Sequence, residues 1–73
     1  MILTQLPIGT KGKVINLTAR GNKRRRLLDL GLIPGTTVEP RRRSPSGDPT
    51  AYLIRGTVLA LRKEETDLVK VSQ

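Results

Sequence analysis

Glycine and proline interrupt this chain so often that no long regular element fits into most of it. Seven glycines and five prolines fall among 73 residues, and the stretches between them read as five short β-prone runs: Lys13 to Thr18, Thr36 to Arg43, Thr50 to Ile54, Val58 to Leu61 and Leu68 to Val71. Short strands at this spacing, punctuated by turn formers, predict a small β-barrel rather than a helical bundle. Pro40 lies inside the second run. It has no N–H to give to a ladder, so that strand is expected at an edge or bulged near its middle. Ser44-Pro45-Ser46-Gly47-Asp48-Pro49 is dense in turn formers and predicts the loop of a hairpin, with a positive φ at Gly47 and a local side-chain bond from Asp48 to backbone. Ile33-Pro34-Gly35-Thr36 suits a type II turn, Gly56 allows a sharp break, and Lys63 to Thr66 predicts a single helical turn.

One segment follows a different rhythm. From Lys23, three arginines lead into Leu27-Leu28-Asp29-Leu30-Gly31, which predicts a two-turn helix with Asn22 as N-cap, Gly31 as a left-handed C-terminal residue and Pro34 barring continuation. At 3.6 residues per turn, Leu27, Leu30 and Gly31 share one face, which is expected to close a mouth of the barrel, and Leu32 should fold back onto Leu27. Arg25, Arg26 and Asp29 point the other way, with Asp29 placed to pair with either arginine, while Arg24 can lay its stem along the core edge. Cations in a first helical turn oppose the macrodipole. Stability alone does not favour that arrangement, so the arginines become candidates for a binding surface.

Composition narrows the function. The chain has no cysteine and no histidine, which removes disulfides, thiolate and imidazole chemistry and the usual soft-metal ligands together. A domain of this size buries only a little over ~60% of its unfolded surface, so no deep active site is expected and no enzyme, cofactor or metal site is predicted. Glu64, Glu65 and Asp67 cluster, but without the spacing of a known metal loop. The net charge is +8, and Lys11 through Arg43 holds ten of the fourteen cations against two acids, Asp29 and Glu39. One side of the molecule should be positive and face an anionic partner. Met1 to Thr10 has neither a basic leader nor a long apolar run, so a single cytoplasmic domain spanning residues 1–73 is expected.

Four blocks, taken in order, resemble a known family. They are Leu6-Pro7-x-Gly9-x-x-Gly12-x-Val14, then Arg25-Arg26-Leu27-x-x-Leu30-Gly31-Leu32-x-Pro34-Gly35-Thr36-x-Val38, then Pro45-x-Gly47-Asp48-Pro49, and last Tyr52-x-Ile54-Arg55-Gly56 with Ala60-Leu61-Arg62. Over nearly its whole length the chain is similar to the ferrous iron transport proteins A, the FeoA family. Ser46 and Thr66 depart from it, standing where an apolar residue and an alanine are usual. The resemblance implies an SH3-like barrel of five to six strands with one short inserted helix. It also implies a cytoplasmic accessory role beside FeoB, the ferrous iron transporter whose cytosolic part binds GTP, with no transport by the small protein itself.

On this reading Arg24, Arg25, Arg26 and Asp29 on the helix and Arg41, Arg42 and Arg43 at the strand end form the partner-binding surface, docking onto an acidic cytosolic face of FeoB. A sharper version makes one arginine a finger in the transporter's GTPase, where such a residue supplied in trans contributes ~10³–10⁵ in rate. The alternative from another class is a basic nucleic-acid-binding barrel. Its weakness is aromatic content, since Tyr52 is the only aromatic residue, it is expected half-buried, and single-strand binders stack bases on aromatic rings. Weak self-association through an exposed strand edge is left open.

Overall fold

Five short strands pair antiparallel in the order β4-β3-β2-β1-β5 in the computed structural model, which describes all 73 residues. The strands are β1 (Gly12–Leu17), β2 (Thr37–Arg43), β3 (Thr50–Ile54), β4 (Thr57–Leu61) and β5 (Val69–Ser72). Two helices interrupt them: α1 (Gly21–Asp29) lies between β1 and β2, and α2 (Lys63–Thr66) between β4 and β5. The domain is mainly β, as the turn-former spacing predicts, and no helix is long and apolar enough to cross a membrane.

Two bulges shape the sheet. Pairing slips between Pro40 and Arg42, so β2 accommodates its proline by a bulge although it is an inner strand. The Pro40 carbonyl accepts from Gly9 N–H at 2.8 Å, tying β2 to the N-terminal turn. The second bulge falls between Val14 and Asn16 in β1. Val14 and Leu17, three apart, both face the core, and Ile15 is left exposed. A bulge inserts one extra residue and so resets the side-chain alternation. Core residues from every strand, with Leu3, Leu6, Leu27 and Leu32, form one apolar cluster.

The C-terminal end of α1 is the Schellman motif expected there. Leu32 N–H bonds to Leu27 O at 3.1 Å and Gly31 N–H to Leu28 O at 3.0 Å, with Gly31 at φ 101°. These bonds satisfy last-turn carbonyls and fold Leu32 back beside Leu27, both buried. The N-terminal end differs from expectation. Arg20 is the N-cap, makes no side-chain capping bond, and Asn22 is already inside the helix. Starting at Gly21 moves Arg26 into the last turn, where a cation is favourable, and leaves Arg20, Lys23 and Arg24 at the positive end of the dipole.

The β3–β4 connection is tighter than Gly56 alone suggests. Ile54 pairs with Thr57, leaving Arg55 and Gly56 as a two-residue turn with φ of 51° and 83°. Two positive φ values define a type I′ hairpin, for which Asn-Gly is the preferred pair. Arg55 is the one non-glycine residue with positive φ. Replacing Arg55 with Asn is expected to stabilise the domain by about 0.5–1 kcal/mol, since left-handed backbone costs an arginine roughly 1–2 kcal/mol and an asparagine less. A gain of a few degrees in thermal midpoint would show it.

Candidate functional site

The seven expected surface residues do not behave as a uniform cationic face. Arg24 is half-buried and its guanidinium donates to Leu17 O at 3.1 Å, which makes it a strut between α1 and the end of β1. Arg26 donates to Glu65 Oε2 at 2.7 Å and so ties α1 to α2. The expected pairing of Asp29 with Arg25 or Arg26 does not form, because Glu65 is the partner that α2 brings to Arg26; Asp29 stays exposed without an ion pair. Arg25, Arg41, Arg42 and Arg43 are exposed and bond to no other side chain. Of the six cations expected at this surface, these four are free.

Register links the two halves of the basic surface through Arg42. Arg42 pairs with Ala51, and Ala51 with Ala60, along one row of the sheet. Strands about 4.8 Å apart put Arg42 roughly 10 Å from Ala60. Ala60 in turn lines an open groove of about 430 Å³ between β4, α1 and α2, with Leu27 and Leu68 as apolar wall and Lys23, Arg26 and Arg62 beside Glu64 and Glu65 as its charged residues. Arg42 therefore lies on the same face of the sheet as the groove's Ala60, whereas Arg43, paired with buried Thr50, lies on the opposite face beside Tyr52. Lys23 and Arg62 belong to this surface too. Lys23 heads the basic run of the helix in the sequence, whereas nothing in the sequence places Arg62 beside the helix; the groove does.

The acidic turn is structural. Hydrogen bonding from Arg26 holds the Glu65 carboxyl below its ordinary range, opposed in part by burial, and the same bond raises the Arg26 guanidinium. Glu65 Oε1 also accepts from Arg62 N–H at 3.2 Å, half of a capping box at the start of α2. Asp48 supplies a further cap. Its Oδ1 accepts from Lys63 N–H at 2.8 Å, so the local backbone bond expected for Asp48 is replaced by a reach across to α2. Asp67 accepts from Thr4 Oγ1 and pairs with Lys63 Nζ at 3.2 Å, and these bonds hold its carboxyl below the usual range. Glu65 and Asp67 thus face separate partners, Glu64 is exposed without an ion pair, and no group of three or more acids converges on a point.

Departures from the usual family pattern also find structural partners. Thr66 is buried with its hydroxyl 2.6 Å from that of Thr4, linking α2 to the N-terminal turn. Ser46 donates to Asp48 O at 2.9 Å inside the hairpin loop. Tyr52 is more deeply placed than half-buried; it is 3% exposed, and burial raises its hydroxyl pKa. With its one aromatic residue in the core, the surface offers no ring on which a base could stack.

Comparison with known proteins adds a family to this geometry. A model of the FeoA domain matches residues 1–73. The chain is 30% identical over 71 residues to the Fe(2+) transport protein A/Fe(2+) transporter FeoB fusion protein of Porphyromonas gingivalis, covering 97% of this chain and 8% of that protein's length. The solution structure of iron(II) transport protein A from Clostridium thermocellum superimposes with a TM-score of 0.94 at 32% identity, covering 99% of this chain and 44% of that one. The FeoA-like protein of Clostridium acetobutylicum gives 0.91 at 35% identity over 99% and 84% of the two chains. The zinc complex of Stenotrophomonas maltophilia FeoA, described as a prokaryotic SH3 domain protein, gives 0.87 at 32% identity over 99% and 89%.

Proposed function

This chain belongs to the FeoA family, and from that premise we propose that it is a cytoplasmic accessory protein of ferrous iron uptake that docks by its basic surface onto the cytosolic GTP-binding part of a FeoB transporter. The observation that carries the reading is the Porphyromonas gingivalis fusion, in which a segment like this one and the transporter share a single polypeptide. Fusion holds two domains at high effective concentration, as a bound partner would. The geometry supports the choice of surface: Arg25, Arg41, Arg42 and Arg43 are exposed and unpaired, so an acidic partner can neutralise them without first breaking an internal ion pair. Within the original set, Arg24 and Arg26 position α1, and contact falls chiefly to Arg25 and the three strand-end arginines.

An NMR titration tests this. The isotope-labelled chain is mixed with the soluble GTP-binding domain of the transporter, once with GDP and once with a GTP analogue. Shifts are expected in the Asn22 to Leu32 segment and at Arg41 to Arg43, and a difference between nucleotides would make the protein a regulator of the GTPase cycle. No movement of either segment in both nucleotide states would refute docking on that domain.

A further inference from the structure

The sheet has two edges, and only one of them is covered. On β5, Met1 O accepts from Val71 N–H at 2.8 Å, the Met1 amine donates to Val71 O at 3.3 Å, and Ile2 bridges to Lys70, so the N-terminal segment occupies that edge. On β4 nothing does. The two-residue turn closes at the Ile54–Thr57 pair, so Thr57, Leu59 and Leu61 bond to β3, whereas the N–H and C=O groups of Val58 and Ala60 face outward. No residue of β4 takes part in a backbone bond beyond the sheet ladder.

The sequence of this strand makes the open edge unusual. Thr57-Val58-Leu59-Ala60-Leu61 carries no charge and no proline, and Val58 is 58% exposed. Soluble proteins normally blunt an edge with lysine, proline, a bulge or a covering segment, because unpaired strand groups recruit other strands. Here all four are missing from β4. The groove bounded by Leu27, Ala60 and Leu68 runs beside the same edge, and its cations Lys23, Arg26 and Arg62 outnumber its carboxylates Glu64 and Glu65, of which Glu65 is already paired with Arg26.

We propose that β4 and this groove take up an extended, acidic segment of a partner protein as a sixth strand. Main-chain bonds to Val58 and Ala60 would supply affinity, and alternate side chains would meet either the apolar wall or the cations. Charge selects this occupant over a second copy. An antiparallel β4–β4 pair would set Arg55 at one strand end against Arg62 at the other, between chains that each carry +8. An acidic strand meets Arg55 and Lys23, which have no ion pair, and Arg62, whose ion pair to Asp48 is a long 3.8 Å, with opposite charge. The inference goes beyond docking on the transporter, and the Val58 and Ala60 amides report it with no transporter present.

The test is hydrogen exchange and chemical shift on the labelled chain with a blocked nine-residue peptide alternating glutamate and valine, against a control alternating lysine and valine. With the acidic peptide, the Val58 and Ala60 amides are expected to move together and to exchange at least tenfold more slowly. Ala60→Pro removes one outward N–H and leaves the β3 ladder intact, and should weaken binding at least tenfold. Ala60→Glu keeps the N–H but opposes the peptide's charge, and should do the same even if the proline variant folds poorly. The proposal is overturned if the peptide moves only arginine resonances while both amides exchange as in the free protein, or if the lysine peptide protects them equally. Protection that rises with protein concentration in the absence of peptide would likewise overturn it, by assigning the edge to a second copy.

Discussion

Leu27→Ala is expected to cost about 2–5 kcal/mol, the usual range for a buried leucine cut to alanine. For a domain of this size that is a large share of the whole, since stability runs at roughly 0.05–0.15 kcal/mol per residue. Leu27 is 2% exposed and is the only buried residue of α1. Its side chain sits with Leu32 in the core, and its carbonyl accepts the longer bond of the Schellman motif. Leu28 and Leu30 are only partly buried against the cluster, so they cannot take over the anchoring. Loss of the side chain should therefore loosen α1 as well as lower the global stability. Urea unfolding should show a midpoint far below wild type, with Leu28→Ala much milder. A loss under about 1 kcal/mol for Leu27→Ala would mean that the Arg26–Glu65 and Arg24–Leu17 bonds hold the helix without it.

Those two bonds explain which parts of the molecule were legible in the sequence. Strand positions, the Pro34-Gly35 turn, the Gly31 helix end and the α2 turn depend on local backbone chemistry, which glycine, proline and side-chain period record directly. What the sequence obscured depends on pairing across the fold. Arg26 finds Glu65 from 39 positions away, and Asp48 caps Lys63 from 15 away. Local reasoning assigned both groups to near neighbours, because i,i+3 and i,i+4 partners are the only ones visible before a fold is known. The bulge in β1 was hidden for a related reason. Val14-Ile15-Asn16-Leu17 reads as plain alternation until β5 fixes the register and turns Ile15 outward. Arg55 shows the opposite failure, a residue placed in a left-handed conformation that its type disfavours.

Knowing which arginines are engaged also changes the expected effect of charge reversal on partner binding. Arg25→Glu combined with Arg42→Glu should weaken association with the transporter's GTP-binding domain about a hundredfold at low salt, which corresponds to ~2.7 kcal/mol. Each reversal replaces an attraction by a repulsion near an acidic surface, where one charge pair at close range is worth between ~1 kcal/mol in water and ~4 kcal/mol at an effective dielectric of 20. The loss should fall mainly on the association rate and shrink as salt rises, because long-range steering is screened. Arg25 and Arg42 have no internal partner, so the thermal midpoint should barely move. Reversing Arg26 is a different experiment. A glutamate there would face Glu65 at the α1–α2 contact and lower stability on its own account, whereas exchanging the pair as Arg26→Glu with Glu65→Arg should restore much of it. Calorimetric titration at two salt concentrations separates these cases. Unchanged affinity in the Arg25→Glu, Arg42→Glu protein would remove the basic surface from the interface, and binding lost together with the fold would show that the two arginines support structure instead.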